Sequence, residues 1–286
     1  MPSIRPAAVA GMFYPGTPAL LGAAVRAYLA EARSPAQPDA RVPKALIVPH
    51  AGYVYSAAIA AAAYRRIAAG RETIRRVLLL GPVHRVPVRG LALPAAHAFA
   101  TPLGAVCVDA QAVARALEMP HVAVHEAAHA LEHSLEVQLP FLQTMLDEFS
   151  VVPFAVGDAS AAEVAAVIEG LWGGPETLIV VSSDLSHYHT YAAARQIDRG
   201  TASTILALDP TLDHDQACGA TPINGLALCA RRRRLEVELI DLRNSGDTAG
   251  DKSRVVGYAA FAFTERGRPT TQDAAAAMLT EAPDAG

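Results

Sequence analysis

The sequence predicts an α/β fold: one domain with a central, mostly parallel or mixed sheet flanked by helices. Three observations predict it. Short apolar runs of strand length alternate with segments of helical periodicity, the pattern of βαβ units. The 286 residues are 52% hydrophobic and 18% charged, which excludes a disordered chain and supplies a sizeable core. No linker rich in Pro, Gly or Ser divides residues 1–266, so a single domain is expected there; 267–286 lacks an apolar pattern and reads as a loose C-terminal tail.

Each element has its own signal. Thr17 to Glu31 reads as a helix with Thr17 as N-cap and Pro18 at the first helical position. Residues 34–43 read as a loop. KALIVPH (44–50) is a buried strand ending in a turn, and Ser56 to Ala69 is an Ala-rich helix. RRVLLLGPVH (75–84) repeats the pattern, with a Gly-Pro break before a histidine. Residues 89–93 and 105–108 are short strands, and Asp109 caps a helix reaching Leu117. Ser134 to Phe149 reads as a helix, VVPFAVG (151–157) as a strand, Ala161 to Leu171 as a helix and TLIVVSS (177–183) as a strand. Tyr191 to Leu208 is helical. Thr221 as N-cap with Pro222 at the first position opens a further helix, and LEVELIDL (235–242) and VVGYAAFAF (255–263) close the sheet.

Composition narrows the function. The formal charge is −4, from 24 basic and 28 acidic residues, so no nucleic-acid partner is expected. Three cysteines make no disulfide framework and point to a reducing compartment, the cytoplasm. The N-terminus lacks the apolar core of a signal peptide, and no apolar run reaches membrane-spanning length, so no membrane association is expected. Arginine outnumbers lysine 22 to 2 and 60 residues are alanine, a composition typical of a GC-rich bacterial genome.

In open α/β sheets, ligands bind beyond the carboxyl ends of the strands. Three strands end in chemically capable residues: His50 after the first, His84 after the second, and the run Ser182 to His189 at the end of the third. If those strands are neighbours, His50, His84 and His187 converge on one cleft. Cys218 lies just ahead of a helix N-terminus, where partial positive charge favours the thiolate. Cys107 and Cys229 read as packed core thiols. His121, His125, His129 and His133 are spaced by four and would line one face of a continuous helix. Three nearby glutamates and an interrupting strand-like VAV make this a solvated segment rather than a metal site, and leave His133 as the sharper candidate. Tyr53 and Tyr55 either wall the cleft or pack under the following helix. Arg231 to Arg234 is read as a solvated helix end, SGDTAGD (245–251) as a turn, and His189 as a surface residue.

Six blocks then resemble one family. PHAGYVYS (49–56), LGPVHRVP (80–87), FATPLG (99–104), EHSLEVQLPFL (132–142), SSDLSHY (182–188) and CGATPING (218–225) look like the successive blocks of the Memo family, whose bacterial form is protein B of the AmmeMemoRadiSam system. The likeness runs from GMFYPG (11–16) to the final strand, roughly residues 1–265. It implies a fold similar to the class III extradiol (LigB-type) dioxygenases. It makes His50, His84 and Cys218 metal ligands, with the thiolate in place of the extradiol carboxylate. It places Asp184 and His187 beside the metal and His133 near an acid/base position, so these three are the expected catalytic residues. It also implies a functional link to a radical SAM enzyme and an AMMECR-type protein. His189 has no clear counterpart in the family pattern.

Two imidazoles and a thiolate leave open positions for water, O2 or a chelating substrate. The leading expectation is a mononuclear, non-haem iron(II) protein doing redox or dioxygenase-like chemistry on a small organic substrate, with zinc or copper as other metals. One alternative is a peptide- or protein-binding module with a structural or vestigial metal; the resemblance supports this too, since animal members are described as adaptors. The other is a zinc-dependent hydrolase.

Overall fold

A computed structural model describes residues 3–32 and 41–266 of the chain. In chain order the strands are β1 (Ile4–Arg5), β2 (Ala45–Val48), β3 (Arg76–Pro82), β4 (Leu91–Leu93), β5 (Ala98–Thr101), β6 (Gly104–Cys107), β7 (Val122–Val124), β8 (Ser150–Val156), β9 (Thr177–Ser182), β10 (His187–His189), β11 (Glu236–Asn244) and β12 (Val255–Thr264). The helices are α1 (Pro18–Glu31), α2 (Tyr53–Tyr64), α3 (Ala110–Leu117), α4 (Glu126–Ala130), α5 (Leu139–Met145), α6 (Ala161–Gly170), α7 (Tyr191–Leu206), α8 (Ala220–Arg233) and α9 (Ser245–Thr248).

The main sheet runs β10-β12-β2-β9-β3-β8-β4-β7, with β11 also paired to β12. Its centre, β2-β9-β3-β8, is parallel, and β12 joins β2 antiparallel. The mixed α/β fold expected from the sequence is therefore the fold observed. Interior parallel strands are buried on both faces, which is why ALIV in β2 and TLIVVS in β9 are apolar runs without alternation. The pleat still sorts them. Leu46 and Val48 of β2 join the core cluster that includes Leu21 and Val25 of α1, Ile59 of α2 and Phe141 of α5. Ala45 and Ile47 join the cluster on the other face, with Val164 and Ile168 of α6, Ile205 of α7 and Leu226 of α8.

Several expectations need correction. A second, three-stranded sheet, β1-β5-β6, has two strands that were not anticipated, one of two and one of four residues. The expected helix at 134–149 is cut to α5 and a preceding 3₁₀ turn, Glu136–Gln138. Upstream, backbone N–H groups of His133 and Ser134 bond the Glu132 carboxylate instead of helical carbonyls. Downstream, Leu146 is extended. The four histidines share no helix: His121 has a left-handed backbone and its carbonyl accepts from Leu91, which draws Val122–Val124 into the sheet. His125 then caps α4 through Nδ1, and His129 is buried with Nε2 on the Ala92 carbonyl. Helix α8 begins earlier than expected, with Gly219 rather than Thr221 as N-cap. Residues 245–248 form one helical turn closed by an Asn244–Asp247 capping box, not a plain turn. Cys107 is exposed rather than core, because on β6 only Val106 points inward. Most of the loop read at 34–43, and the tail read at 267–286, lie outside the described residues. Among the described residues no helix is long and apolar enough to cross a membrane.

Candidate metal centre

Strand order brings the histidines together. β9 lies between β2 and β3, and Val48 is level with Ser182. The chain segments leaving all three strands at their carboxyl ends therefore open on one edge. His50 follows β2, His84 follows β3, and Ser183 to Ser186 follow β9. His133 reaches the same place from the loop before α5. Ligand nitrogens of His50, His84 and His133 all lie within 4.8 Å of one another. Their ring centroids are 5.3 Å (His50–His84), 5.4 Å (His50–His133) and 4.7 Å (His84–His133) apart.

Each ring is held on one side. The Nδ1 of His50 is 3.0 Å from Ser182 Oγ. His84 Nδ1 donates to Glu132 Oε1 at 2.9 Å, and its backbone N–H donates to Oε2 at 2.7 Å. An imidazole whose Nδ1–H is engaged presents Nε2 as its metal-binding lone pair. His133 packs its ring on Phe13 at 4.7 Å, and its buried Nδ1 has no hydrogen-bond partner, although Glu132 Oε1 is 3.3 Å away. A buried imidazole nitrogen without a partner, beside two others, is what a metal ion would satisfy.

Cys218 touches this group through His50 only: Sγ lies 3.3 Å from His50 Nε2 and 3.6 Å from the Asp184 carbonyl. It does not share the 4.8 Å cluster of the three histidines. The residue after it must be small. A Cβ on Gly219 would lie 2.6 Å from Ser183 Cβ, and the Gly219 N–H donates to Ser183 Oγ at 2.9 Å. Asp184, only 4% exposed, accepts from the His50 backbone N–H at 2.7 Å, so its carboxylate braces the ligand-bearing turn. The ring of His187 instead bonds the Leu185 carbonyl. His187 lines a cleft of about 1050 Å³ with His189, Gln196, Asp213, His214 and Gln216. His189 is exposed there; Tyr53 is buried with its hydroxyl on the Val137 carbonyl, while Tyr55 stays partly exposed.

Burial sets the electrostatics. Desolvation holds the His50 pKa well below that of a free histidine, helped by the neighbouring His133 and His84. It takes His133 down to about 4 and lowers His187. All three rings are thus neutral at pH 7, the form that binds metal or accepts a proton. Burial pushes the Cys218 thiol up to about 12, with Asp184 adding to the effect, so desolvation outweighs the adjacent helix end that was expected to favour thiolate. Burial raises Asp184 to about 7 against the backbone N–H bonds it accepts. For Glu132 burial pulls upward, but hydrogen bonds and charge from His84 and the backbone N–H of Ser134 win and hold it at about 2.

Two supporting residues, Glu132 and Phe13, were not anticipated, and Ser182 was read only as part of the polar end of the third strand. The signal for Glu132 was present, since it stands beside His133 in a block otherwise rich in leucine and valine. Nothing in the sequence paired it with His84, 48 positions away.

Comparison with known proteins gives the family. The family model described as Memo-like protein matches residues 5–262. A MEMO1 family protein of Aquifex aeolicus is 34% identical over 273 residues, covering 91% of this chain and 99% of its own. One of Archaeoglobus fulgidus is 36% identical over 270 residues, covering 89% and 97%. Among solved structures, the uncharacterized protein JW3007 of Escherichia coli K12 overlaps 77% of this chain and 99% of its own at 15% identity and a TM-score of 0.48. With a family match over nearly its whole length and relatives above 30% identity, this chain belongs to the Memo family.

Proposed function

We propose that this chain is a mononuclear metal protein, built on His50 and His84, that carries out non-haem redox chemistry on a small organic substrate. The observation that carries the reading is the convergence of His50, His84 and His133 within 4.8 Å, three imidazoles from separate segments on one sheet edge. Ligand nitrogens around a first-row ion bonded at about 2.1 Å stand roughly 3–3.5 Å apart, so modest side-chain closure would complete the site. Cys218, in contact with His50, and His133 are the two candidates for the third ligand. Histidine and thiolate donors suit iron(II), zinc and copper; iron(II) is the metal proposed. When bound, the ion would supply redox and Lewis-acid chemistry. The chain's own part is to hold the rings, to exclude water and to receive protons. A ring that is not a ligand, His133 or His187, is neutral and so keeps a lone pair free to take up a proton in passing. Asp184 fastens the His50 turn.

The three cysteines are free, in keeping with work in a reducing compartment, the cytoplasm. A link to a radical SAM enzyme and an AMMECR-type protein, implied by the family pattern, would make the substrate an intermediate shared with them. A second reading, a zinc-dependent hydrolase, is favoured by the nitrogen- and sulfur-donor set itself.

Metal analysis of anaerobically purified and reconstituted protein tests the reading. About one ion per chain is expected, falling sharply in His50→Ala and His84→Ala. Less than about 0.2 ion per chain, unchanged by reconstitution, refutes it. Oxygen uptake with iron(II) and none with zinc(II) separates the redox reading from the hydrolase.

A further inference from the structure

The block from Glu132 to Gln138 contains four polar residues at every second position: Glu132, Ser134, Glu136 and Gln138. All four are 2% exposed or less. Polar side chains are seldom buried unless each is used, and here each has a separate employment. Glu132 holds His84. Ser134 Oγ donates to the Pro82 carbonyl at 2.8 Å, and the Ser134 backbone carbonyl accepts from Ser182 at 2.6 Å. Glu136 accepts from the backbone N–H groups of Ala8 and Val9 and from the Tyr14 hydroxyl, which fastens the segment carrying Phe13 against His133. Gln138 donates to the Pro49 carbonyl at 2.9 Å and to Ser182 Oγ at 2.8 Å.

Counting protons around Ser182 decides what it does to His50. The Ser134 carbonyl can only accept, so the Ser182 hydroxyl proton lies on that bond. The Pro49 carbonyl can only accept too, so the amide nitrogen of Gln138 faces it. The amide oxygen then takes the Tyr64 hydroxyl at 2.9 Å, and the second N–H of Gln138 points at Ser182 Oγ. With its proton spent and one lone pair filled, Ser182 Oγ can only accept from His50 Nδ1 at 3.0 Å. His50 is therefore the Nδ1–H tautomer, with the Nε2 lone pair turned toward the cluster.

We infer that Ser182 and Gln138 are positioning residues that fix the tautomer and aim of His50, Ser182 by direct contact and Gln138 by fastening both Ser182 and the carbonyl preceding His50. The inference deepens the metal-centre reading and rests on it for its purpose, but the tautomer itself does not depend on any ion.

The test is long-range proton–nitrogen-15 NMR of the histidine rings in metal-free protein, together with Co(II) affinity measured by chelator competition. The wild-type His50 ring is expected to carry its proton on Nδ1. In Ser182→Ala both tautomers are expected, because Nδ1 loses its acceptor while Nε2 still faces Cys218 Sγ, and Co(II) affinity falls about 10- to 100-fold. Ser182→Thr, which keeps the hydroxyl, restores both. Gln138→Met retains the tautomer and weakens Co(II) binding to a smaller degree; it also serves if Ser182→Ala fails to fold. A wild-type ring protonated on Nε2 overturns the inference, as does a folded Ser182→Ala protein in which either tautomer or affinity is unchanged, or a Gln138→Met protein with wild-type affinity. If the wild-type chain binds no Co(II), the metal-centre reading fails while the nitrogen-15 pattern still decides the tautomer.

Discussion

Gly257→Ala is expected to be among the most damaging single-methyl additions in the molecule. Gly257 lies on β12 under Asp198 of α7, and a Cβ built there would sit 2.2 Å from Asp198 Oδ2 and 2.5 Å from its Cγ. Asp198 is 2% exposed and cannot swing into solvent without carrying α7 with it. Its Oδ1 accepts from the Ser186 N–H at 3.1 Å. Gly257 itself bonds the same segment twice, accepting from Leu185 and donating to Ser186, each at 2.8 Å. The methyl thus strikes the fastening of the turn between Asp184 and His187. Overpacking costs about 1–3 kcal/mol, and a displaced carboxylate leaves a buried N–H unpaired for about 1–3 kcal/mol more. The sum, about 2–6 kcal/mol, corresponds to a fall in Tm of roughly 3–10 °C for a chain of this size. Thermal unfolding followed by circular dichroism measures it. A double-mutant cycle sharpens it: Asp198→Ala lowers Tm in the wild-type background but raises it in the Gly257→Ala background, because the clash is gone. A Gly257→Ala protein within about 2 °C of wild type, or an Asp198→Ala cost that is the same in both backgrounds, would refute the reasoning.

Three further outcomes are expected. His129 is buried and neutral, its pKa taken down to about 4 chiefly by desolvation. Between pH 6.5 and 4 the unfolded chain binds a proton the native chain refuses, so this contribution is complete above 6.5 and is lost as pH falls toward 4. It is worth up to about 3 kcal/mol, and Asp184, raised to about 7, runs in the opposite sense. Urea unfolding at pH 7 and pH 4.5 should therefore show a shallower acid loss in His129→Gln than in wild type; parallel losses would contradict it. The native chain should show one fast thiol toward a disulfide reagent, Cys107, since Cys229 is buried and burial raises Cys218; a second fast thiol would contradict the placement of Cys218. Glu136→Ala leaves Arg5, 3% exposed, without its buried carboxylate, and should cost about 3–5 kcal/mol in denaturant unfolding; a loss under about 1 kcal/mol would mean water reaches the pair.

What could be read from the residues, and what could not, divides along physical lines. His50 and His84 stood out because an apolar strand that stops at a Pro or Gly-Pro sets the histidine behind it at the edge of the sheet, where ligands bind. Whether their strands were neighbours was hidden, since crossover connections carry no record of sheet order; β9 turned out to separate β2 from β3. Ser134 to Phe149 read as one helix, but Glu136 and Gln138 point inward to partners more than 70 positions away. Periodicity cannot distinguish a polar residue facing water from one facing a buried partner. The same ambiguity made Cys107 look buried and gave no warning that His129 is. Strands of two to four residues, such as β1 and β5, are set by pairing rather than by local sequence.

The central claim is that one metal ion sits on His50 and His84. Anomalous scattering from crystals of anaerobically iron(II)-loaded protein tests it most directly. The account predicts a single strong peak bonded to His50 and His84 and to at least one of His133 and Cys218. A peak at any other place, or none at this cluster in fully loaded protein, would contradict it.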